Sequence, residues 1–142
     1  MGNQSQITAI RFKHYKAFEN YSLTLRQFNI LVGPNNCGKS TVVGAFRILA
    51  EGIRKARSRN PVFVEGPSGE TRGYQVDLKD IPVATENVFH NYDDTRSAQV
   101  LFEISNGNSL LLHFPEPGRC HLICNTNGRP ITTTYAFRSQ FN

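Results

Sequence analysis

The chain has 142 residues, a hydrophobic fraction of 39% and a net charge of +5 with a pI near 9.4. This length predicts about one domain, and no stretch approaches the roughly 18 to 20 apolar residues of a membrane helix. The N-terminus lacks the pattern of a secretory signal, and three cysteines do not make a disulfide framework. We therefore expect a cytoplasmic protein with no membrane contact, whose positive charge suits a polyanionic partner.

Three strands are predicted before residue 33. Apolar residues alternate over residues 7–12 and again over 21–25, which indicates two strands. The segment 13–20 between them is polar and rich in aromatic residues, so we predict a connection there. The continuous apolar run 28–32 predicts a buried strand.

Residues 33–40 read Gly-Pro-Asn-Asn-Cys-Gly-Lys-Ser and match the phosphate-binding loop at every fixed position. The glycines let the backbone approach oxygen atoms, and the N–H groups between them form an anion-binding nest at the start of a helix. Lys39 is expected to contact the β- and γ-phosphates and to serve catalysis, while Ser40 is expected to bind Mg²⁺. Thr41 is a candidate for the α-phosphate. The predicted phosphate ligands are Asn35, Asn36, Cys37, Gly38, Lys39, Ser40 and Thr41.

The stretch from Lys39 onward predicts a helix with one apolar face, and Gly44 would allow it to approach a sheet closely. Four cations follow at its end: Arg54, Lys55, Arg57 and Arg59. They could contact nucleic acid, or they could be a solvated helix end whose charge offsets the helix dipole. The sequence leaves both interpretations open.

Beyond the helix, glycines and prolines predict an exposed loop or irregular hairpin over 60–80, and a helical turn is expected around 85–89. Antiparallel strands are predicted from residue 98, at 99–104, 110–114, 120–124 and 131–137. The pairs Asn106-Gly107 and Asn127-Gly128 are typical of hairpin turns between them. We therefore divide the chain into a nucleotide-binding core (1–59), a loop or insertion (60–97) and antiparallel strands (98–142).

A zinc site can be imagined at Cys120, Cys124, His113 and His121. However, the cysteine spacing matches no structural zinc signature, and alternation along a strand favours small apolar residues on one face.

The order strand, Arg11-Phe12-Lys13-His14-Tyr15, strand and then Gly-Pro-Asn-Asn-Cys-Gly-Lys-Ser-Thr resembles the N-terminal lobe of ABC-type ATPase heads. The relevant branch contains the SMC, RecF and OLD proteins, and the resemblance covers residues 7–54. It implies an α/β P-loop NTPase fold with an antiparallel β meander, which binds ATP and Mg²⁺. It also implies heads that dimerise around two nucleotides and act on DNA or control a nuclease, in genome maintenance or phage defence. Lys13, after the Phe of a first turn, would contact the phosphates.

The chain departs from this group in two motifs. ABC heads carry an apolar strand that ends in Asp-Glu and a Ser-Gly signature, and neither occurs in residues 1–142. Glu103 is the nearest carboxylate, and we expect it to face solvent from a strand; Gln75 and Gln99 are candidates for the group's Mg²⁺-linked glutamine. We therefore expect the hydrolysis motifs after residue 142. The alternative is a nucleotide-binding switch or scaffold without hydrolysis that serves a nuclease partner.

Overall fold

The computed structural model describes residues 6–16, 18–24, 37–78, 93, 95–116 and 118–141, with only the backbone at 37–40 and 140. These residues form eight strands and two helices. In chain order they are β1 Ile7–Tyr15, β2 Phe18–Thr24, α1 Cys37–Ala56, β3 Val62–Gly66, β4 Gly69–Gln75, β5 Ala98–Ile104, β6 Ser109–Phe114, β7 His121–Thr126, β8 Arg129–Pro130 and α2 Thr134–Gln140.

The strands form one antiparallel sheet in the order β2-β1-β5-β6-β7-β4-β3, with β8 beside β7. This arrangement confirms the predicted α/β class with an antiparallel sheet. The strand predicted at 28–32 and the helical turn predicted around 85–89 lie outside the described residues.

One face of the sheet carries the core. Phe12, Val100, Leu112, Leu122 and Tyr74 stand directly opposite one another across β1, β5, β6, β7 and β4, and all are buried. Because residues that pair in register share a face, this row is a continuous apolar band.

Helix α1 lies on this band with its own apolar side. The rings of Phe46 and Phe102 are 5.4 Å apart between centroids, and Ile48 of the same helix is fully buried. Gly44 is buried, as its predicted role requires, and Gly52 marks a close approach to the sheet. A Cβ at Gly52 would lie 2.8 Å from Leu122 Cδ2.

The connection predicted at 13–20 is wrong, because β1 continues to Tyr15 and β2 begins at Phe18. The period of two simply carries on past residue 12: Phe12 and His14 are buried, and Lys13 between them is exposed. Positive φ angles occur at His14, near the end of β1, and at Lys16, in the turn that follows.

The strand predicted at 131–137 is also wrong, because residues 134–140 form α2. Thr133 has an extended backbone, and its side-chain oxygen accepts a hydrogen bond from the Ala136 N–H, as an N-cap does. Phe137 and Phe141 then stack with centroids 5.2 Å apart, one helical turn from each other. The β-rich composition of this stretch is overridden by the cap and by this contact.

The turns explain why the remaining strand predictions are confirmed. Asn127 and Gly128 both have positive φ, of 53° and 78°, which the tight turn between β7 and β8 requires. Gly107 has a φ of 91° between β5 and β6. The stretch predicted as a loop or irregular hairpin contains the regular hairpin β3–β4, paired from Val62↔Gly73 to Gly66↔Gly69.

Candidate phosphate-binding site

Helix α1 begins at Cys37, inside the loop motif, so Gly38, Lys39 and Ser40 lie in its first turn. The first N–H groups of a helix have no partner within it, and the helix dipole makes this end positive. The first turn contains no acidic residue, and Arg54 and Lys55 lie in the last turn. The backbone and charges of α1 therefore fit an anion at Cys37 and a basic opposite end.

The rest of the motif is described unevenly. Asn35 and Asn36 lie outside the described residues, and the side chains of Cys37, Lys39 and Ser40 are not described. Thr41 is 7% exposed, and its neighbour Val42 is 5% exposed. The helix is thus anchored in the core from the last residue that is predicted to hold phosphate, Thr41, onward.

Lys13 lies on the opposite face of the sheet from α1. It pairs in register with Asn20 on β2 and Gln99 on β5, while its neighbours Phe12 and His14 are buried. The Phe-Lys pair is therefore part of a strand and does not form the predicted turn. Lys13 is an exposed cation, and it lies at one end of a row of polar residues that crosses the sheet.

This row crosses the sheet through residues in direct register. It runs from Lys13 to Gln99, His113, His121 and Gln75, on β1, β5, β6, β7 and β4. Sequence reasoning named all five residues separately but did not place them together, because the pairing of distant strands fixes the row. Its two ends are exposed, and its two histidines are buried.

Glu103 is held by an ion pair on the same exposed face. Arg11 Nε lies 2.6 Å from Glu103 Oε2, and Arg11 Nη1 donates to Ser22 Oγ at 3.0 Å. The hydrogen bond to Glu103, and then its charge, raise the pKa of Arg11. Glu103 is a partly exposed strand residue with a cationic partner, which confirms the solvent-facing prediction.

The basic tract at the end of α1 is partly engaged within the chain. Arg54 pairs with Glu51, and Lys55 Nζ donates to the Gln75 carbonyl at 2.7 Å. Arg57 and Arg59 are exposed. A cleft of about 430 Å³ beside them is lined by three cations, two acids and a serine: Arg54, Lys55, Arg59, Glu51, Asp77 and Ser58.

Arg138, which no sequence-based prediction includes, also joins this region. Its Nε and Nη2 donate to the Arg57 carbonyl at 3.0 and 2.8 Å. Thr134 donates through its backbone N–H and its Oγ1 to Asn60 Oδ1, at 2.7 and 2.9 Å. Helix α2 therefore fastens the segment between α1 and β3 and adds a cation to it. The strand prediction for 131–137 concealed this role.

The imagined zinc site is not formed. Cys120 and Cys124 are buried thiols whose pKa is raised by burial, and both Nδ1 atoms of His113 and His121 contact the Glu65 carbonyl. Among the described residues, no group of three or more His, Cys, Asp or Glu side chains has the arrangement of a metal site. The cysteines thus act as small core residues, as predicted.

In the part of the chain that the structure describes, neither helix is both long and apolar enough to span a membrane. A family model described as an AAA ATPase domain matches residues 6–108. No curated protein matches the chain.

Proposed function

The chain belongs to the AAA ATPase domain family, and from this premise we propose that residues 33–41 hold the phosphates of ATP in the N-terminal lobe of an ABC-type head. The observation that carries the proposal is the start of α1 at Cys37, within the Gly-x4-Gly-Lys-Ser motif, with no acid in its first turn. A helix N-terminus placed in this way attracts and orients an anion.

The residues of the motif have different roles in this proposal. The backbone N–H groups of Asn35, Asn36, Cys37 and Gly38 cradle phosphate oxygens, and Lys39 adds a positive charge at the β- and γ-phosphates. Ser40 offers a hydroxyl to Mg²⁺, which when bound neutralises charge on the phosphates. Thr41 contributes at the α-phosphate, and Lys13 is a candidate phosphate contact from the opposite face of the sheet.

The test is Lys39→Ala in the full-length protein. Because positioned cations supply much of phosphoryl-transfer catalysis, we expect ATP hydrolysis to fall by on the order of 100-fold or more, together with weaker ATP binding. Hydrolysis is measured as phosphate release, and binding by titration with a fluorescent ATP analogue. Arg47→Ala removes a charge from an exposed position on the same helix and is the matched control. Equal activity of the two variants would contradict the proposal.

A second candidate function is a nucleotide-dependent switch or scaffold without hydrolysis. The pairing of Glu103 with Arg11 favours it, because the nearest carboxylate candidate of the sequence is engaged in an ion pair. Tight ATP binding without measurable phosphate release from the full-length protein would select this function. Mg²⁺-dependent turnover that is lost in Lys39→Ala would select the first.

The same resemblance supports a wider proposal, in which the lobe dimerises through ATPase heads and acts on DNA or controls a nuclease in genome maintenance or phage defence. Sedimentation of the full-length protein with and without ATP tests dimerisation. A monomer under both conditions would reject that part.

Arg57 and Arg59 are exposed cations of the basic tract outside the Arg54–Glu51 ion pair, and they are the residues to test for DNA contact. If both contact phosphates, Arg57→Ala with Arg59→Ala should reduce the slope of log affinity against log salt by about 2. The double change Arg119→Ala with Arg129→Ala removes the same charge from two other exposed positions and is the control. An unchanged slope in the Arg57→Ala, Arg59→Ala variant would reject DNA contact at this tract.

A further inference from the structure

Two histidines bind one backbone oxygen at the far edge of the sheet. His113 Nδ1 lies 2.8 Å from the Glu65 carbonyl oxygen, and His121 Nδ1 lies 2.9 Å from the same atom. The two residues face each other in register on β6 and β7, and each is 2% exposed. Because a carbonyl oxygen only accepts hydrogen bonds, both rings carry a proton on Nδ1.

The backbone ladder that joins the β3–β4 hairpin to the rest of the sheet is short. In the described part of the chain, β4 joins β7 at two pairs, Tyr74↔Leu122 and Gln75↔His121, and β3 pairs with β4 alone. The Val76 N–H extends this junction with a bond to the Cys120 carbonyl at 2.9 Å. The two histidines therefore supply the polar link between β3 and the body of the sheet.

Protonation of His113 is opposed by its surroundings. His113 Nε2 is buried and has no hydrogen-bond partner among the described residues, so a proton added there would find no acceptor among them. Burial lowers the pKa of His113 most, the nearby His121 lowers it further, and the Glu65 carbonyl and carboxylate oppose this.

The other charged groups nearby are few. Glu65, Glu70 and Arg119 line a cleft with His121. Gln99, which pairs with His113 on β5, is uncharged, and Lys13 stands beyond it in the same row.

We propose that His113 and His121 form a pH-sensitive clamp, in which both Nδ1–H groups hold the β3–β4 hairpin on the sheet and protonation of His113 on acidification releases it. The docked His113 resists protonation, whereas in the released hairpin it titrates near the ordinary value of about 6.5. The released state therefore binds more protons, so docking is strongest above this value and weakens as the pH falls below it. One suppressed protonation predicts about a tenfold loss of docking between about pH 7.5 and about pH 5.5.

Hydrogen exchange in the full-length protein tests the clamp. After correction for intrinsic exchange rates, protection of residues 62–75 should fall about tenfold over this pH range. Protection of residues 7–24, in the β1–β2 hairpin, should stay constant and serves as the internal reference. The double variant His113→Asn with His121→Asn keeps an N–H near each Nδ1 position and removes the titration, so its hairpin protection should not depend on pH.

Two results would overturn the proposal. One is equal hairpin protection at both pH values in the native sequence, and the other is an undiminished pH dependence in the double variant. If the double variant fails to fold, nitrogen-15 NMR of the histidine rings in the native protein decides the question. The clamp requires a proton on Nδ1 of both rings at neutral pH and a second proton on the His113 ring on acidification; a proton on Nε2 and none on Nδ1 at neutral pH would reject it.

Discussion

The two hairpins at the opposite edges of the sheet are held by different forces. β1 pairs with β2 from Ala9 to Tyr15 and with β5 from Ile7 to Lys13, and its residues Ile10 and Phe12 are fully buried in the core. β4 joins β7 only at Tyr74 and Gln75 among the described residues. Its partner β3 depends on two histidine side chains and on tight backbone packing.

The two edges should therefore differ in how they respond to pH and to substitution. A long backbone ladder over an apolar core responds little to pH or to a single polar substitution. A short ladder with ionisable side chains on a carbonyl responds to both. We therefore expect the β1–β2 edge to unfold with the whole domain, and the β3–β4 edge to open locally.

The largest expected effect comes from matched phenylalanines. Phe12 is fully buried, with its ring centroid 5.0 Å from that of Phe18, whereas Phe63 on β3 is 59% exposed. Phe12→Ala should lower the free energy of unfolding by about 3–5 kcal/mol. Phe63→Ala should lower it by about 1 kcal/mol or less, mainly through its contact with Arg72. Urea unfolding of both variants measures the difference, and similar losses would refute the contrast between the edges.

Gly73→Ala should open the weak edge. A Cβ at this position would lie 2.7 Å from the Leu122 carbonyl oxygen and 2.9 Å from Val64 Cγ2. Relief of this overlap requires the backbone to move, at a cost of about 1–3 kcal/mol. Hydrogen exchange should show this loss of protection in β3 and β4.

Gly52→Ala is the comparison for this change. Its added Cβ meets the end of the Leu122 side chain, and alanine gains about 1 kcal/mol of helix propensity over glycine. Its net effect on the free energy of unfolding should therefore be small. A larger loss than for Gly73→Ala would show that the helix contact, and not the β4–β7 junction, is the tighter constraint.

Thr133→Ala tests how α2 supports the same edge. It removes the N-cap that accepts from the Ala136 N–H at 3.0 Å and should cost about 1 kcal/mol. Because α2 holds Asn60 and the Arg57 carbonyl, protection should also fall at the start of β3. Thr132→Ala changes an exposed neighbour and should leave protection unaltered. An equal change of protection in the two variants would show that the Thr133 N-cap does not support this edge.

The smallest effect is expected for Glu103→Gln on the strong edge. Its ion pair with Arg11 is largely solvent-exposed, and such pairs contribute little to stability. The urea midpoint should not shift measurably, and ATP hydrolysis by the full-length protein should persist. Abolished hydrolysis with unchanged folding would instead identify Glu103 as a catalytic acid.

The sequence predicted those parts of the fold that local chemistry determines. Alternation located strands within β1 and β2, and the Asn127-Gly128 pair located a turn that needs two positive φ angles. The Gly-x4-Gly-Lys-Ser motif predicted the start of α1, because its chemistry requires a helix end. These predictions depend on neighbours within a few residues.

The remainder depends on pairing between distant segments. His113 and His121 were noticed for their possible bond to zinc, yet their partner is a backbone carbonyl 48 and 56 residues earlier in the chain. No side-chain pattern indicates a carbonyl acceptor. Arg138 lies just after the strand predicted at 131–137 and has no predicted role, and only the folded chain brings it to Arg57.

The histidine pair also has a consequence for aggregation of the protein in solution. Among the described strands, β3 is an edge strand of the sheet. The free backbone groups of an edge strand can pair with a strand of another chain. The Glu65 oxygen is shielded from such pairing by two imidazole donors. Acid conditions that break these two hydrogen bonds should therefore promote aggregation of concentrated protein before the core unfolds.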